Sequence, residues 1–184
     1  RCARRRDRGV ADYPAQLIGE HRLRDGRRVT IRPIRHDDDA RERDFLQHLS
    51  QDTWYRRFHK FVAAPSEKLV HFFTDIDYDQ HMAFVCAAPR DGKEEVVGEA
   101  RYVVIPHTNG CDFGIMIADD WQKSGIAGLL MEALMRTARA RGLERIEGLV
   151  LTSNRPMLRF ARALGFEVQP MTDDPTTRLI VKKL

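Results

Sequence analysis

Apolar and polar residues alternate with period two at residues 29–34 (VTIRPI), directly after the turn pair Asp25-Gly26. This predicts a half-buried strand that Pro33 ends or confines to an edge. Residues 38–62 are dense in charge, with Phe45, Leu46, Leu49, Trp54, Tyr55 and Phe58 spaced among the polar positions, which predicts one or two helices. A short helix is expected over 66–73. The apolar runs at 82–87 (MAFVCA) and 96–105 (VVGEARYVVI) predict buried strands. Asn109-Gly110 predicts a type I′ hairpin turn into a returning strand over 111–117 (CDFGIMI). The period then changes: Ile126, Leu129, Leu130, Ala133, Leu134 and Ala138 form the stripe of an amphipathic helix that ends near Gly142. A strand follows over 146–151 (IEGLVL). Ser153 or Asn154 then caps a helix with Pro156 in its first turn, a stripe of Met157, Phe160, Ala161 and Leu164, and Gly165 just past its end. Residues 166–168 and 179–184 read as closing strands. Strand, helices, three strands, helix, strand, helix, two strands is the order of a mixed α/β sheet, antiparallel in front with a parallel crossover behind.

Charge changes this picture little. The chain of 184 residues carries a formal +4, yet five Arg and one Asp in residues 1–8 account for all of it, so the remaining residues sum to zero. A neutral body lacks the electrostatic footprint of a nucleic-acid binder. Residues 1–12 read as a basic, disordered tail, and residues 13–184 as one domain. No apolar run is long enough for a membrane helix or a secretory signal. Three cysteines (Cys2, Cys86 and Cys111) without C-x-x-C spacing argue against a disulfide framework or a zinc site, and point to a reducing cytoplasm. The scattered histidines give no metal-binding spacing. The run Asp37-Asp38-Asp39 reads as a helix start, where carboxylates meet free N–H groups.

The segment Trp121-Gln-Lys-Ser-Gly-Ile-Ala-Gly128 lies between an apolar strand and the best-formed helix. Its small residues admit a ligand close to the backbone. The helix start directs unpaired N–H groups at the same spot, as an anion site for phosphate or pyrophosphate requires. The spacing fits neither a dinucleotide fingerprint nor a Walker loop. Taken alone, the segment reads equally well as a tight strand-to-helix turn.

Gln122-x-x-Gly125-x-Ala127 resembles the Q/R-x-x-G-x-G/A pyrophosphate loop of the GNAT family of acyl-CoA-dependent N-acyltransferases, and Asn154 followed by Gly165-Phe166 resembles that family's second motif. The element order agrees over residues 28–184. Three further stretches resemble the GNAT domain of bacterial Pat-type protein lysine acetyltransferases: Ile31-Arg-Pro-Ile-Arg, Leu49-Ser-x-x-Thr-x-Tyr-x-Arg-Phe58 and Ile76-Asp-Tyr-Asp-x-x-Met-Ala-Phe84. In many of those proteins the domain follows an acyl-CoA-synthetase-like regulatory domain. The present sequence contains none and starts at Arg1, so it is either excised from such a protein or a free-standing relative, and a regulatory domain fused to or paired with it is an implied partner.

The resemblance implies a GNAT fold whose parallel strands splay at the acyl-CoA site. Acetyl-CoA is the implied co-substrate, and no metal is implied. The pyrophosphate would rest on the backbone N–H groups of Gln122, Lys123, Ser124, Gly125, Ile126, Ala127 and Gly128. The pantetheine arm would pair with the backbone of Ile115, Met116 and Ile117 as an added strand. Asn154 would contact the arm near the thioester. The implied acceptor is a protein lysine, typically an active-site lysine of an acyl-CoA synthetase. A lysine amine is almost fully protonated at neutral pH, so a base must take its proton. Asp112 stands where Pat-type domains carry Glu, and period two places it on the face of Gly114 and Met116; the alternative is a solvated carboxylate beside the turn. Glu99 on the preceding strand is the second candidate, with pairing to a nearby Arg as its alternative. Many relatives carry a Tyr seven residues after the motif Asn as general acid; here that position is Ala161. Cys111 reads as a small buried hydrophobe and not as an acyl carrier. A GNAT acting on a small amine, and a weakly catalytic acyl-CoA-binding regulatory domain, are the alternative functions.

Overall fold

The computed structural model describes residues 12–59 and 64–184. The expected tail over 1–12 and the end of the 38–62 stretch therefore lie almost wholly, and in part, outside the described residues. Eight strands form one sheet in the order β1-β2-β3-β4-β5-β6-β8-β7. The strands are β1 (Gly19–Arg22), β2 (Arg28–Pro33), β3 (His81–Arg90), β4 (Lys93–Val104), β5 (Gly110–Ile117), β6 (Arg145–Leu151), β7 (Glu167–Pro170) and β8 (Thr177–Lys183). Only β5 and β6 run parallel; the other neighbouring pairs are antiparallel. The helices are α1 (Asp39–His48), α2 (Gln51–Phe58), α3 (Glu67–Thr74), α4 (Ile126–Ala140) and α5 (Arg155–Ala163).

Helix α4 is the crossover between the two parallel strands and lies on the opposite face from α2. Its contact with the sheet is tight. A Cβ on Gly98 of β4 would stand 2.9 Å from Ile117 and 3.2 Å from both Ile126 and Leu130. Ile126, Leu130, Met131, Leu134 and Ala138 are buried along the helix, as the 3.6 period predicts. On the other face, which carries Ala83, Val85, Glu99 and Arg101, α1 and α3 bury Phe45, Leu46, Val70 and Phe73.

Three local expectations change. The hairpin between β4 and β5 forms, but its left-handed residue is His107 (φ 62°), while Gly110 already sits in extended strand backbone. Glycine fits at 110 because the Arg145 side chain passes 3.3 Å from where a Cβ would be. Asp38 precedes α1 without a side-chain capping bond. It is fully buried and accepts both Arg32 guanidinium nitrogens (2.7 and 2.9 Å) and the Arg35 N–H (2.8 Å). The stripe of α5 is also rotated: Leu158 and Ala161 are buried, whereas Met157, Phe160 and Leu164 are half-buried.

Candidate functional site

The parallel pair is short. β5 and β6 are in register over only three rungs, Gly110↔Arg145, Cys111↔Ile146 and Asp112↔Glu147. Beyond that β5 continues along β4 to Ile117, and β6 continues along β8 to Leu151. The gap between them is the splay expected from the resemblance. Gly148 sits at its base, with the Phe113 ring and carbonyl 3.1 and 3.2 Å from its Cβ position, and the Phe113 ring leans on Phe166 at 5.4 Å.

Antiparallel hydrogen bonding alternates along a strand, so the ladder decides which backbone groups face this gap. Ala118 N–H donates to Val97, and Ile105 N–H donates to the carbonyl of Gly110. Even-numbered residues of β5 therefore pair with β4, while Phe113, Ile115 and Ile117 turn their N–H and C=O groups toward the gap. Of the three residues expected to hold a pantetheine arm, Ile115 and Ile117 are placed to do so. Met116 differs from them: it lines the same cleft, but its backbone pairs with β4 and its side chain is buried.

A cleft of about 550 Å³ opens at the splay and runs to the start of α4. Its walls include Gly114, Ile115, Ile117, Trp121, Gln122, Lys123, Gly125, Ala127, Gly128, Asn154, Met157 and Phe160. The loop residues Gln122, Lys123, Ser124, Gly125, Ile126, Ala127 and Gly128 come together as expected. Lys123 and Gly125 take positive φ (63° and 97°), and Gly125 is the N-cap of α4 with no side-chain cap. A Cβ at Gly125 or Gly128 would meet nothing within 4 Å. An uncapped helix start facing open space is a fitting seat for a pyrophosphate. Ser124 and Ile126 are turned away from it: the Ser124 hydroxyl donates to the Trp121 carbonyl at 2.6 Å, and the Ile126 side chain is core. Asn154 caps α5 by accepting the Met157 N–H at 3.2 Å, which fixes its amide at the cleft wall.

Helix α2 closes the other side, and Asp119 holds it there. Its carboxylate accepts the Ser50 N–H (2.9 Å), the Ser50 hydroxyl (2.8 Å), the Thr53 hydroxyl (2.9 Å) and the Gln122 amide (3.3 Å). Burial raises the Asp119 pKa, but the Ser50 and Thr53 hydrogen bonds outweigh it and hold the group below the usual carboxylate range. The Ser and Thr of the Leu49–Phe58 motif are thus a clamp between α2 and the phosphate loop. They bring Arg57 over Gly114 at the splay, where a Cβ would stand 2.2 Å from the guanidinium carbon.

Asp112 lies on the α2 face one rung before the gap, just outside the cleft walls, and is exposed. Its surroundings still raise its pKa: burial contributes most, Arg57 opposes, and Glu147 adds to the rise. Glu99 is placed differently. It is fully buried, and both its oxygens accept from Arg101 (2.6 and 2.6 Å), the alternative its position allowed. Arg101 also donates to His81 Nε2 (2.9 Å) and to the Phe73 carbonyl (3.2 Å). Burial, then the Arg101 charge, pushes the His81 pKa down to about 4, so His81 is neutral and accepts. Beside Glu99 lies Glu42 of α1, also buried. Burial, and then the Glu99 charge, raise its pKa well above the ordinary value. Among the described residues no group of His, Cys, Asp and Glu is arranged to hold a metal ion, and no helix is long and apolar enough to cross a membrane.

Sequence reasoning gave Arg57, Thr53, Asp119 and Glu147 no role in the site, and assigned Met157 and Phe160 only to the apolar stripe of a helix. Arg57 and Thr53 lie within the quoted motif. The place of Glu147 depends on a strand register that no local pattern encodes.

Comparison with known proteins agrees with this geometry. Residues 43–166 match the model of the acetyltransferase (GNAT) family. The acetyltransferase PA5475 of Pseudomonas aeruginosa is 38% identical over 165 residues, covering 88% of this chain and 89% of the relative. The acetyltransferase Pat of Mycolicibacterium smegmatis is 31% identical over 144 residues; the match covers 78% of this chain but only 42% of that protein. The crystal structure of the GNAT domain of S. lividans PAT superposes with a TM-score of 0.85 at 25% identity, over 94% of this chain and 100% of that one. Family model, relative and fold agree: the chain belongs to the GNAT family of acetyltransferases, enzymes that use acetyl-CoA.

Proposed function

We propose that this domain transfers the acetyl group of acetyl-CoA to a lysine side-chain amine of a protein, with Asp112 as the base. The observation that carries the reading is the position of Asp112: an exposed carboxylate with a raised pKa on the last rung before the strands part. The loop at residues 122–128 seats the pyrophosphate. Ile115 and Ile117 pair with the pantetheine arm, and Asn154 reaches the arm near the thioester. The thioester carbonyl then lies near Gly114, within reach of an amine arriving from the α2 face. One proton passes from the amine to Asp112, directly or through water. The amine lone pair forms the C–N bond, the C–S bond breaks and CoA leaves as the thiolate, while the second proton, lost by the nitrogen as the amide forms, passes to that thiolate or to water. The shorter reach of Asp relative to Glu favours the bridging water. Ala161 is buried and carries no acid, so the thiolate leaves without a proton from that position; with a pKa near 8.5 for an ordinary thiol, this is a modest handicap. Glu99 is left to its ion pair with Arg101.

Likeness to Pat of M. smegmatis and to the S. lividans PAT domain supports a protein acceptor, with an acyl-CoA synthetase as the first one to try. Since this chain spans less than half of the M. smegmatis protein, control by a regulatory domain, fused or paired, belongs to the same proposal. Residues 13–184 would act as one catalytic unit in the cytoplasm.

The test is thiol release from acetyl-CoA with a purified acyl-CoA synthetase as acceptor, followed by mass spectrometry of its lysines. Stoichiometric acetylation of one active-site lysine, lost in Asp112→Ala while acetyl-CoA still binds, is the expected result. Binding without acetylation would overturn this acceptor in favour of a small amine or a sensing role.

A further inference from the structure

Asp112 is flanked by charges of both signs, and their placement follows from the sheet. Val103, Asp112 and Glu147 form one cross-strand row, so two carboxylates stand side by side across the parallel pair. Like charges directly opposite destabilise a sheet unless something answers them. Two cations do. Arg145 Nε holds Glu147 at 2.9 Å. Arg57 reaches in from α2 and lies on Gly114, the next residue on the face of Asp112. Glycine at 114 is the seat of that guanidinium, since any side chain there would collide with it. Among the described residues no carboxylate forms an ion pair with Arg57, whereas Arg101, one rung behind, is ion-paired with Glu99. Among the described residues the cross-strand row continues from Asp112 through uncharged groups, Val103 on β4 and the neutral His81 on β3.

We propose that Arg57 and Glu147 are opposed positioning residues for the base: Arg57 keeps Asp112 ionised beside a second carboxylate, and Glu147 keeps it basic enough to accept a proton from the incoming amine. This rests on the reading of Asp112 as the base. The direction of the Asp112 shift agrees, with Arg57 opposing the rise and Glu147 contributing to it. Either residue lost alone leaves the other unbalanced.

The test is a ¹³C NMR titration of the Asp112 carboxyl, assigned with Asp112→Asn, alongside the pH profile of kcat/KM. In Arg57→Gln the midpoint should rise by about 0.5–1 pH unit, and in Glu147→Gln it should fall by a similar amount, the lower part of the range for charges several ångströms apart at a solvated site. Arg57→Lys should restore most of the wild-type value, which a purely structural role would not predict. If Arg57→Gln fails to fold, Gly114→Ala, which displaces the guanidinium, should give the same upward shift. The acidic limb of kcat/KM should move with the midpoint. Midpoints within about 0.2 units of wild type in both variants would overturn the proposal; loss of activity in Asp112→Asn would then leave the base assignment standing. Midpoints that move while the acidic limb does not would overturn it by the other route, together with Asp112 as the base.

Discussion

Replacing Asp119 with alanine tests whether the acyl-CoA loop and helix α2 are one unit. The carboxylate receives three hydrogen bonds of 2.8–2.9 Å from Ser50 and Thr53 and a longer one of 3.3 Å from Gln122. Hydrogen bonds to a charged group are each worth about 1.5–3 kcal/mol when buried. Asp119 is exposed, so water replaces part of each, and Ser50 keeps its own capping bond to the Thr53 N–H. A net loss of about 2–3 kcal/mol follows, which lowers Tm by about 5–10 °C for a chain of this size. The second consequence separates this account from simple destabilisation. Gln122 loses the shorter of its two anchors and keeps only the 3.4 Å bond to the Thr53 hydroxyl, so acetyl-CoA measured by calorimetry well below Tm should bind about tenfold more weakly, or about 1.4 kcal/mol. Asp119→Asn keeps one acceptor oxygen and should fall between. Because the folded pKa is depressed, the contribution is present above the unfolded value near 3.9 and is lost as pH falls through the folded pKa. If Tm and acetyl-CoA affinity both stay at wild-type values, α2 is held by the packing of Trp54 and Phe58 alone, and the clamp is refuted.

Asn154→Ala removes the N-cap of α5 and should cost about 1 kcal/mol in urea unfolding while raising KM for acetyl-CoA; an unchanged KM would dissociate the cap from the ligand. Arg101→Met strands the buried Glu99 carboxylate and should cost about 3–5 kcal/mol, whereas Glu42→Gln, an uncharged replacement of the same shape for a buried carboxyl whose pKa is raised, should cost under about 1 kcal/mol. Equal losses in the two variants would contradict the raised pKa of Glu42. His81 stays neutral in the fold down to about pH 4, while in the unfolded chain it gains a proton near 6.5. The unfolded state therefore binds more protons in this window, and stability should fall as pH drops from about 6.5 toward 4; His81→Gln should make that slope shallower.

The elements that define the fold were legible because each has a strong local cause. The stripe on α4, the apolar runs of β3 and β5 and the cap-and-proline start of α5 all stand where their spacing puts them. β1 was missed because an exposed edge strand reading Gly-Glu-His-Arg has no apolar face to betray it. Asn109-Gly110 carried the composition of a turn, but Gly110 is small for the sake of Arg145, a residue 35 positions away. On α5 the period located an apolar face without saying what it meets, and Met157 and Phe160 turned out to line the cleft. The loop at residues 122–128 was readable as a motif, and Asp112 as a strand position. Arg57 and Glu147 were not, since their bearing on Asp112 arises from a helix docking and a strand register.

The short parallel ladder also has a thermodynamic meaning. A sheet whose middle is joined by three rungs leaves backbone donors and acceptors of Ile115 and Ile117 turned to the gap instead of to a neighbouring strand. A ligand that pairs with them completes the sheet, so its concentration enters the folding equilibrium directly. At a hundred times its Kd, acetyl-CoA would add about 2.7 kcal/mol to the stability of the native state. The resistance of this protein to unfolding and proteolysis should thus rise and fall with the acetyl-CoA supply, whether or not an acceptor is present.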